Sequence, residues 1–248
     1  MKTFKIAHLY YDLMNLYGEN GNVRALKRHF EYHGVKCNIH FLTINDAIDF
    51  SKYDIFYIGE GTEDSQILVL KDMLKRKLQI QKVIEDGKYF FITGNALELF
   101  GKYLIDFDGN KIDTLNIFPY YTKVIDFSPS NNVNFRIIGS PIGKTDLIDK
   151  TIIGFQNRRG CIYENNSPLF TFSKGTGSNT KEKKEGYIYK NFYATYLIGP
   201  LFIRNPYLTE YFIRKIIKEK DSSFKCKPIT NMTEVKAYKE YLHNFEIE

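Results

Sequence analysis

The 248-residue sequence contains no tryptophan, only three cysteines and only five histidines. Cys37, Cys161 and Cys226 are far apart and form no C-x-x-C pair, so neither a disulfide framework nor a cysteine-based zinc site is predicted. An odd number of unpaired thiols favours a reducing compartment, and we expect a cytoplasmic protein. No apolar run approaches about 18 residues, so no membrane-inserted segment is predicted.

The formal charge is +6, but the basic residues are dispersed over stretches 71–82, 174–190 and 214–227. No zinc finger, RNP motif or alternation of aromatic and basic residues accompanies them, so we expect a solvated basic surface and no nucleic-acid partner. His29 and His33 are four residues apart, the spacing of a metal-binding pair on a helix. Because no third ligand accompanies them, we expect an exposed pair, no metal site and no cofactor.

The first half alternates apolar runs with helical patterns. Strands are predicted over residues 4–9, 35–41, 53–58 and 89–92, and helices over 23–33 and 63–85. The second helix should turn Leu70, Met73, Leu74 and Leu78 inward. This alternation predicts a mostly parallel sheet with helices on both faces, a three-layer α/β/α, flavodoxin-like fold.

The second half is richer in short strands, predicted over residues 120–125, 135–138, 152–156, 161–163, 169–172 and 192–197. A polar Gly/Lys/Glu segment at 173–186 is predicted as a loop, and helices over 207–220 and 232–245. No linker divides the chain, so we expect a single domain over 1–248, with 222–248 as a C-terminal tail that includes the last helix.

The most informative stretch reads KYFFITGNALELFG, residues 88–101. An apolar strand ends at Ile92, a sharp turn follows and a helix begins near Ala96, which is the strand–turn–helix on which hydrolytic enzymes seat a nucleophile. Four further segments accompany it: NLYGENGN (15–22), DIFYIGEGTEDSQ (54–66), GFQNRRGCIY (154–163) and KKEGYIYKNFYATYLIGP (183–200). Together, from residue 6 to about 217, they resemble the class I glutamine amidotransferase domains of the cobyric acid synthase type. They are most similar to the glutaminase-like subunits that partner a Mur-ligase-like, ATP-dependent enzyme in lipid II amidation.

The resemblance implies that the catalytic pair is missing. That family carries a cysteine in the turn, where the resemblance places Thr93, and a histidine in T-Y-L-H-G-P, where Ile198 stands. A threonine hydroxyl is far less acidic than a thiol and needs a base, which isoleucine cannot supply. We therefore expect glutamine hydrolysis to be lost, Thr93 to cap the following helix, and Ile198 to be a packed residue near a strand end.

The loop Gly59-Glu60-Gly61 resembles the family's oxyanion loop, which usually has three glycines. A carboxylate beside an oxyanion would repel it unless the Glu60 side chain points to solvent. Gly94 and Asn95 should complete this pocket.

Three more residues have positions implied by the resemblance. Glu98 lies near a family glutamine and is expected to form a polar wall of the pocket. Cys161 stands where the family has a glutamine-recognising arginine, and we expect a small, partly buried residue there. Arg158 and Arg159 are either substitutes for that arginine or surface charges.

Three functions remain open from the sequence. The first is a glutaminase-inactive subunit that binds a Mur-ligase-like partner. The second is an active amidotransferase that uses Thr93 or Cys161 as its nucleophile. The third is a module that binds glutamine or a related small molecule in the old pocket.

Overall fold

Six α-helices and sixteen short strands make up the computed structural model, which describes residues 3–125 and 136–247. The helices are α1 (Asn20–Tyr32), α2 (Glu63–Lys75), α3 (Lys77–Glu85), α4 (Leu201–Arg204), α5 (Pro206–Lys220) and α6 (Thr233–Asn244). Two 3₁₀ helices lie at Phe50–Lys52 and Gly94–Phe100. The strands of the first half are β1 (Phe4–Leu9), β2 (Cys37–Leu42), β3 (Ile55–Ile58), β4 (Tyr89–Thr93), β5 (Tyr103–Ile105), β6 (Lys111–Asp113) and β7 (Tyr121–Val124). Those of the second half are β8 (Ile137–Gly139), β9 (Ile142–Thr145), β10 (Ile148–Ile153), β11 (Gln156–Arg158), β12 (Gly160–Tyr163), β13 (Phe170–Lys174), β14 (Lys184–Glu185), β15 (Tyr187–Tyr189) and β16 (Phe192–Thr195).

The central sheet has six strands in the order β15-β16-β4-β3-β1-β2. All neighbouring strands are parallel except β15, which pairs antiparallel with β16. Ile58 pairs with Ile92 and Thr93 pairs with Thr195, so three strands end side by side at one edge. Ligands of parallel sheets bind outside the carboxyl ends of the strands, which makes this edge the place to look for a site.

Both faces of the central sheet are covered. Phe56 and Ile58 pack into one hydrophobic core, whereas Ile55 and Tyr57 pack into a second core on the opposite face. Successive strand residues point to opposite faces, so a strand with no exposed residue needs a layer on each side. The predicted three-layer α/β/α arrangement is confirmed.

Smaller antiparallel sheets fill much of the second half: β10-β9-β13-β14, β12-β7-β5-β6 and the pair β11-β8. The strand predicted over 152–156 is interrupted, because β10 ends at Ile153 and β11 begins at Gln156. The strand predicted to begin at Phe135 starts at Ile137, and Phe135 itself lies outside the described residues.

The single helix predicted over 63–85 is wrong. α2 and α3 meet at Arg76, whose φ of −109° and ψ of 8° interrupt the helical path. Its guanidinium donates to Asp72 Oδ2 at 2.9 Å and to the Asp46 carbonyl at 2.9 Å, which ties the junction to a neighbouring loop. Of the four residues predicted to face inward, Leu70 and Met73 are buried, but Leu74 and Leu78 are exposed.

The polar segment 173–186 is not simply a solvent loop. Ser178, Asn179 and Glu185 are buried within it. Asn179 Nδ2 donates to the Ile162 carbonyl at 3.1 Å, and the Ser178 carbonyl accepts from the Ile162 amide at 2.9 Å. The segment is therefore held down on β12. Within residues 3–125 and 136–247, no helix has both the length and the hydropathy that crossing a bilayer requires.

Candidate functional site

A cavity of about 460 Å³ lies beyond the carboxyl ends of β3 and β4. The first turn of α2, the Gly94–Phe100 helix, the β5–β6 hairpin and the β11–β12 turn enclose it. It brings together five residues named from the sequence, all of which line it: Glu60, Asn95, Glu98, Arg158 and Arg159. Thr93, Cys161 and Ile198 are not among the described lining residues.

The structure corrects the role of Thr93. It is the last residue of β4, with an extended φ of −123°, and it is buried. Its hydroxyl donates to Glu19 Oε2 at 2.6 Å and lies 2.6 Å from the Tyr57 hydroxyl. Although it stands at the N-cap position, it makes no capping hydrogen bond, so the predicted cap is wrong.

The strained position of the turn is Gly94, one residue later, with φ of +65°. A nucleophile on a strand-to-helix elbow occupies such a left-handed residue, so the elbow here ends in a glycine without a side chain. A Cβ built on Gly94 would overlap Glu60 Oε2. The backbone of this turn therefore favours Gly94 over Thr93 as the position of a nucleophile.

Glu60 fills the space that the missing side chain leaves. It is 2% exposed, so its side chain does not point to solvent. Its Oε2 accepts a hydrogen bond from the Asn95 amide at 2.9 Å, at the start of the Gly94–Phe100 helix. Burial, and then the charge of Glu98, raise the pKa of Glu60 well above its usual range.

The two loops that flank Glu60 are joined through Asn95. The Gly61 amide donates to Asn95 Oδ1 at 3.0 Å, and Asn95 Nδ2 donates to the Gly61 carbonyl at 2.9 Å. Gly59 packs so tightly that a Cβ there would overlap Glu19 and the Met14 carbonyl. Both glycines of the predicted oxyanion loop are thus needed for close packing, with Glu60 projecting between them.

Glu98 lines the inner wall of the cavity and is buried. Its Oε2 accepts from Gln66 Nε2 at 2.8 Å, and its Oε1 accepts from the Tyr196 hydroxyl at 3.0 Å. Burial raises the pKa of Glu98 to about 7. Gln66 and Tyr196 were not singled out in the sequence, although both lie in the segments that carry the resemblance.

Arg158 is a buried cation, so the surface-charge interpretation is wrong for it. Its guanidinium stacks on the Tyr196 ring at 4.1 Å and donates to Gln156 Oε1 at 3.1 Å and the Ser178 carbonyl at 3.3 Å. It also donates to the carbonyls of Gly160 and Gly177. With its hydrogen bonds used inside the chain, Arg158 serves as a fixed countercharge for the buried carboxyls of Glu98 and Glu185.

Arg159 is half-buried at the cavity wall. Its Nε is buried and has no hydrogen-bond partner among the described residues. Of the two arginines, Arg159 is therefore the one whose guanidinium is not fully used by hydrogen bonds within the described residues.

Cys161 is fully buried on β12, where a partly buried residue had been predicted. Burial raises the pKa of its thiol, and its Sγ lies 3.8 Å from Arg158 Nη1. Ile198 is buried as predicted, and its amide donates to the Phe155 carbonyl at 2.8 Å. Among the described residues, no cysteine or histidine lines the cavity.

The pair His29 and His33 is buried, so the prediction of an exposed pair is wrong. Both rings face Glu210, at 3.4 Å and 3.0 Å from its Oε2, and this explains how they are accommodated in the interior. Over the described ranges, no three His, Cys, Asp or Glu side chains are arranged to hold a metal ion.

The raised pKa values predict a pH dependence of stability. Burial raises the pKa values of Glu98 and Glu185 to about 7 from the usual 4.5. Between about pH 4.5 and about pH 7, each of these carboxyls keeps its proton in the folded chain but has lost it in the unfolded chain. The free energy of unfolding therefore falls as pH rises through this range, by up to about 3 kcal/mol per group. Glu210, whose pKa is lowered to about 2, has the opposite effect: it makes the free energy of unfolding rise with pH, but only below about pH 4.5.

Glu98→Gln mimics the protonated acid and should flatten this dependence in urea unfolding between about pH 5 and pH 8. The exposed Glu164→Gln is the matched control and should leave the slope unchanged. An unaltered slope in Glu98→Gln would show that its carboxyl titrates normally.

Comparison with known proteins agrees with this architecture. Residues 5–206 match the family model of the CobB/CobQ-like glutamine amidotransferase domain. The GatD subunit of the glutamine-hydrolysing lipid II isoglutaminyl synthase of Staphylococcus aureus (strain N315) is 33% identical over 237 residues, 96% of this chain and 94% of the relative. The GatD subunit of Streptococcus pneumoniae (strain ATCC BAA-255 / R6) is 32% identical over 218 residues, 87% of this chain and 81% of the relative.

Two solved structures share the fold at low sequence identity. PurLQS from Thermotoga maritima has a TM-score of 0.54 and 11% identity, covering 88% of this chain and 99% of its own. The glutaminase domain of Trypanosoma brucei CTPS with bound acivicin has a TM-score of 0.53 and 12% identity, covering 91% of this chain and 98% of its own. With the family model matching most of the chain, this protein belongs to the CobB/CobQ-like glutamine amidotransferase family.

Proposed function

We propose that this protein is the glutamine amidotransferase-like subunit of a lipid II-amidating complex and that it does not hydrolyse glutamine. Its two curated relatives are subunits of lipid II isoglutaminyl synthases and match it over most of their length. The proposed partner is a cytoplasmic, Mur-ligase-like, ATP-dependent enzyme, as the sequence resemblance implies.

The single observation that most supports the loss of activity is the glycine at the elbow, where the family carries its cysteine. Gly94 offers no nucleophile, and the Glu60 carboxyl lies where a side chain on residue 94 would stand. Glutamine hydrolysis develops negative charge on an oxygen that backbone N–H groups must stabilise. The Asn95 amide already donates to Glu60, so the site lacks both the attacking group and a free donor there.

The base is missing as well. Ile198 is packed against Phe155 through a backbone bridge and lies outside the cavity lining. Cys161 does not replace the nucleophile, because its thiol is fully buried and its pKa is raised. These two positions argue against the alternative of an active enzyme with relocated residues.

The nitrogen source of the reconstituted complex tests the proposal. We expect the protein to co-purify with its Mur-ligase-like partner, and the complex to amidate lipid II with ammonium but not with ¹⁵N-amide glutamine. The S. aureus subunit with its own partner is the positive control. Transfer of ¹⁵N from glutamine would contradict the loss of hydrolysis, and failure to co-purify would contradict the partner.

A ligand-binding role is a second candidate, favoured by one feature of the cavity. The exposed carboxylates of Glu63 and Asp64 and the cation of Arg159 place opposite charges in its lining, and the buried Nε of Arg159 lacks a partner among the described residues. Such an arrangement suits a small molecule that carries both an amine and a carboxylate. Thermal-shift measurements with free amino acids should then show stabilisation that Arg159→Met removes, and no shift with any of them would contradict this role.

A further inference from the structure

The outer face of α2 and α3 exposes three leucines within eleven residues. Leu68 is 48% exposed, Leu74 41% and Leu78 80%. Leu68 and Leu74 lie on α2 and Leu78 lies on α3, just beyond the junction at Arg76, and all three are on the solvent side of these helices. Isolated exposed leucines are common, but three together on one segment need a reason.

Cations surround these leucines. Lys71, Lys75 and Lys82 are exposed, and Arg76 and Lys77 are half-buried. Between residues 65 and 84 the only carboxylate is Asp72, which is buried and paired with Arg76 at 2.9 Å. The exposed face of the segment therefore carries positive charge and apolar side chains, and the exposed acids are confined to its two ends, where Asp86 pairs with Lys82.

The composition of this face favours a lipid surface over a protein partner. Protein interfaces are enriched in aromatic residues and arginine and depleted in lysine. Residues 63–88 contain no aromatic residue, and the one arginine there is tied to Asp72 and the Asp46 carbonyl. Leucines flanked by lysines are instead typical of helices that lie in the interface of an anionic membrane.

We propose that α2 and α3 dock this protein peripherally on an anionic lipid bilayer. The side chains of Leu68, Leu74 and Leu78 enter the boundary between headgroups and acyl chains, while Lys71 and Lys75 contact lipid phosphates. The acidic residues Glu63 and Asp64, and Glu85 and Asp86, bracket the basic stretch and mark the limits of the docked surface. This inference goes beyond the proposed function and does not depend on it.

Flotation with vesicles tests it on the full-length chain. The protein should float with vesicles that contain phosphatidylglycerol and bind at least about tenfold more weakly to pure phosphatidylcholine. High salt should weaken the interaction, because it screens exposed charges. The double variants Leu74→Asp/Leu78→Asp and Lys71→Glu/Lys75→Glu should each lower binding by about tenfold or more.

Matched variants separate docking from general basicity. Lys236→Glu/Lys239→Glu makes the same charge change on the exposed face of α6, and Ile138→Asp removes an exposed apolar residue on β8. Both should bind like the wild type, and all variants should keep the wild-type circular dichroism spectrum. No flotation of the wild type, or equal losses in the control variants, would overturn the proposal. A third result would also overturn it. If the wild type is a dimer, and Leu74→Asp/Leu78→Asp makes it monomeric without altering flotation, the face is an interface between two copies of the chain.

Discussion

Replacing Arg158 by methionine is expected to lower the free energy of unfolding by about 3–5 kcal/mol, the usual effect of removing one partner from a buried charge cluster. Arg158 is 2% exposed, and its guanidinium donates to backbone carbonyls of the 173–186 segment and to that of Gly160 at the start of β12. Methionine fills similar space but removes these hydrogen bonds, although the Ser178 carbonyl keeps the Ile162 amide as a donor. It also removes the cation that holds down the pKa values of Glu98 and Glu185.

The loss should be larger at high pH. Without Arg158, Glu98 and Glu185 take up protons more readily in the folded chain, which relieves part of the penalty below about pH 6. Urea unfolding of both proteins at about pH 5 and at about pH 8 measures how the loss of stability changes with pH. Arg24→Met, on the exposed face of α1, is the matched control and should change stability by no more than about 0.5 kcal/mol. A similarly small effect for Arg158→Met would show that its contacts contribute little.

The second large effect is expected at the elbow, where Gly94→Cys should be tolerated only if Glu60 is removed. Alone, the substitution places a side chain against Glu60 Oε2 at a residue with φ of +65° and should cost about 1–3 kcal/mol. In Glu60→Gly/Gly94→Cys the overlap is gone. A double-mutant cycle should therefore give a favourable coupling energy of about 0.5–3 kcal/mol.

Reactivity of the new thiol gives an independent measurement. In the double variant the thiol faces the cavity at the start of a helical turn and should be alkylated by iodoacetamide, as located by peptide mass spectrometry. Cys37 and Cys161, both buried, should remain unmodified and serve as internal controls. If the two substitutions change the free energy of unfolding additively and the thiol at residue 94 is unreactive, Glu60 does not occupy the nucleophile's place.

The sheet could be predicted from the sequence because its signals are local. Strand β1 was predicted with its observed bounds, Phe4–Leu9, and the apolar runs of β3 and β4 are short and continuous, as strands buried on both faces must be. Gly34, with φ of +80°, ends the first helix region as its residue type indicates. The junction at Arg76 gave no such signal, because arginine is a good helix former and its bond to the Asp46 carbonyl is non-local.

The segments that line the candidate site could be predicted from the sequence, but the arrangement of their individual residues could not. In the turn Thr93-Gly94-Asn95 the choice of elbow residue depends on one backbone angle, and glycine alone adopts a positive φ without cost. The burial of Glu60 and Arg158 could not be predicted, because charged side chains are exposed in most proteins. Only long-range packing removes these two from water: Glu60 lies against the Gly94–Asn95 turn, and Arg158 lies against the 173–186 segment and Tyr196.

Glutamate release from glutamine, measured with the protein saturated by its Mur-ligase-like partner, tests the central claim most directly. Removing the nucleophile or the base from a serine protease lowers turnover by about 10⁶-fold. With Gly94 and Ile198 at those places and Glu60 against the elbow, we predict a comparable deficit relative to the S. aureus complex. Turnover within about tenfold of that complex would contradict the account.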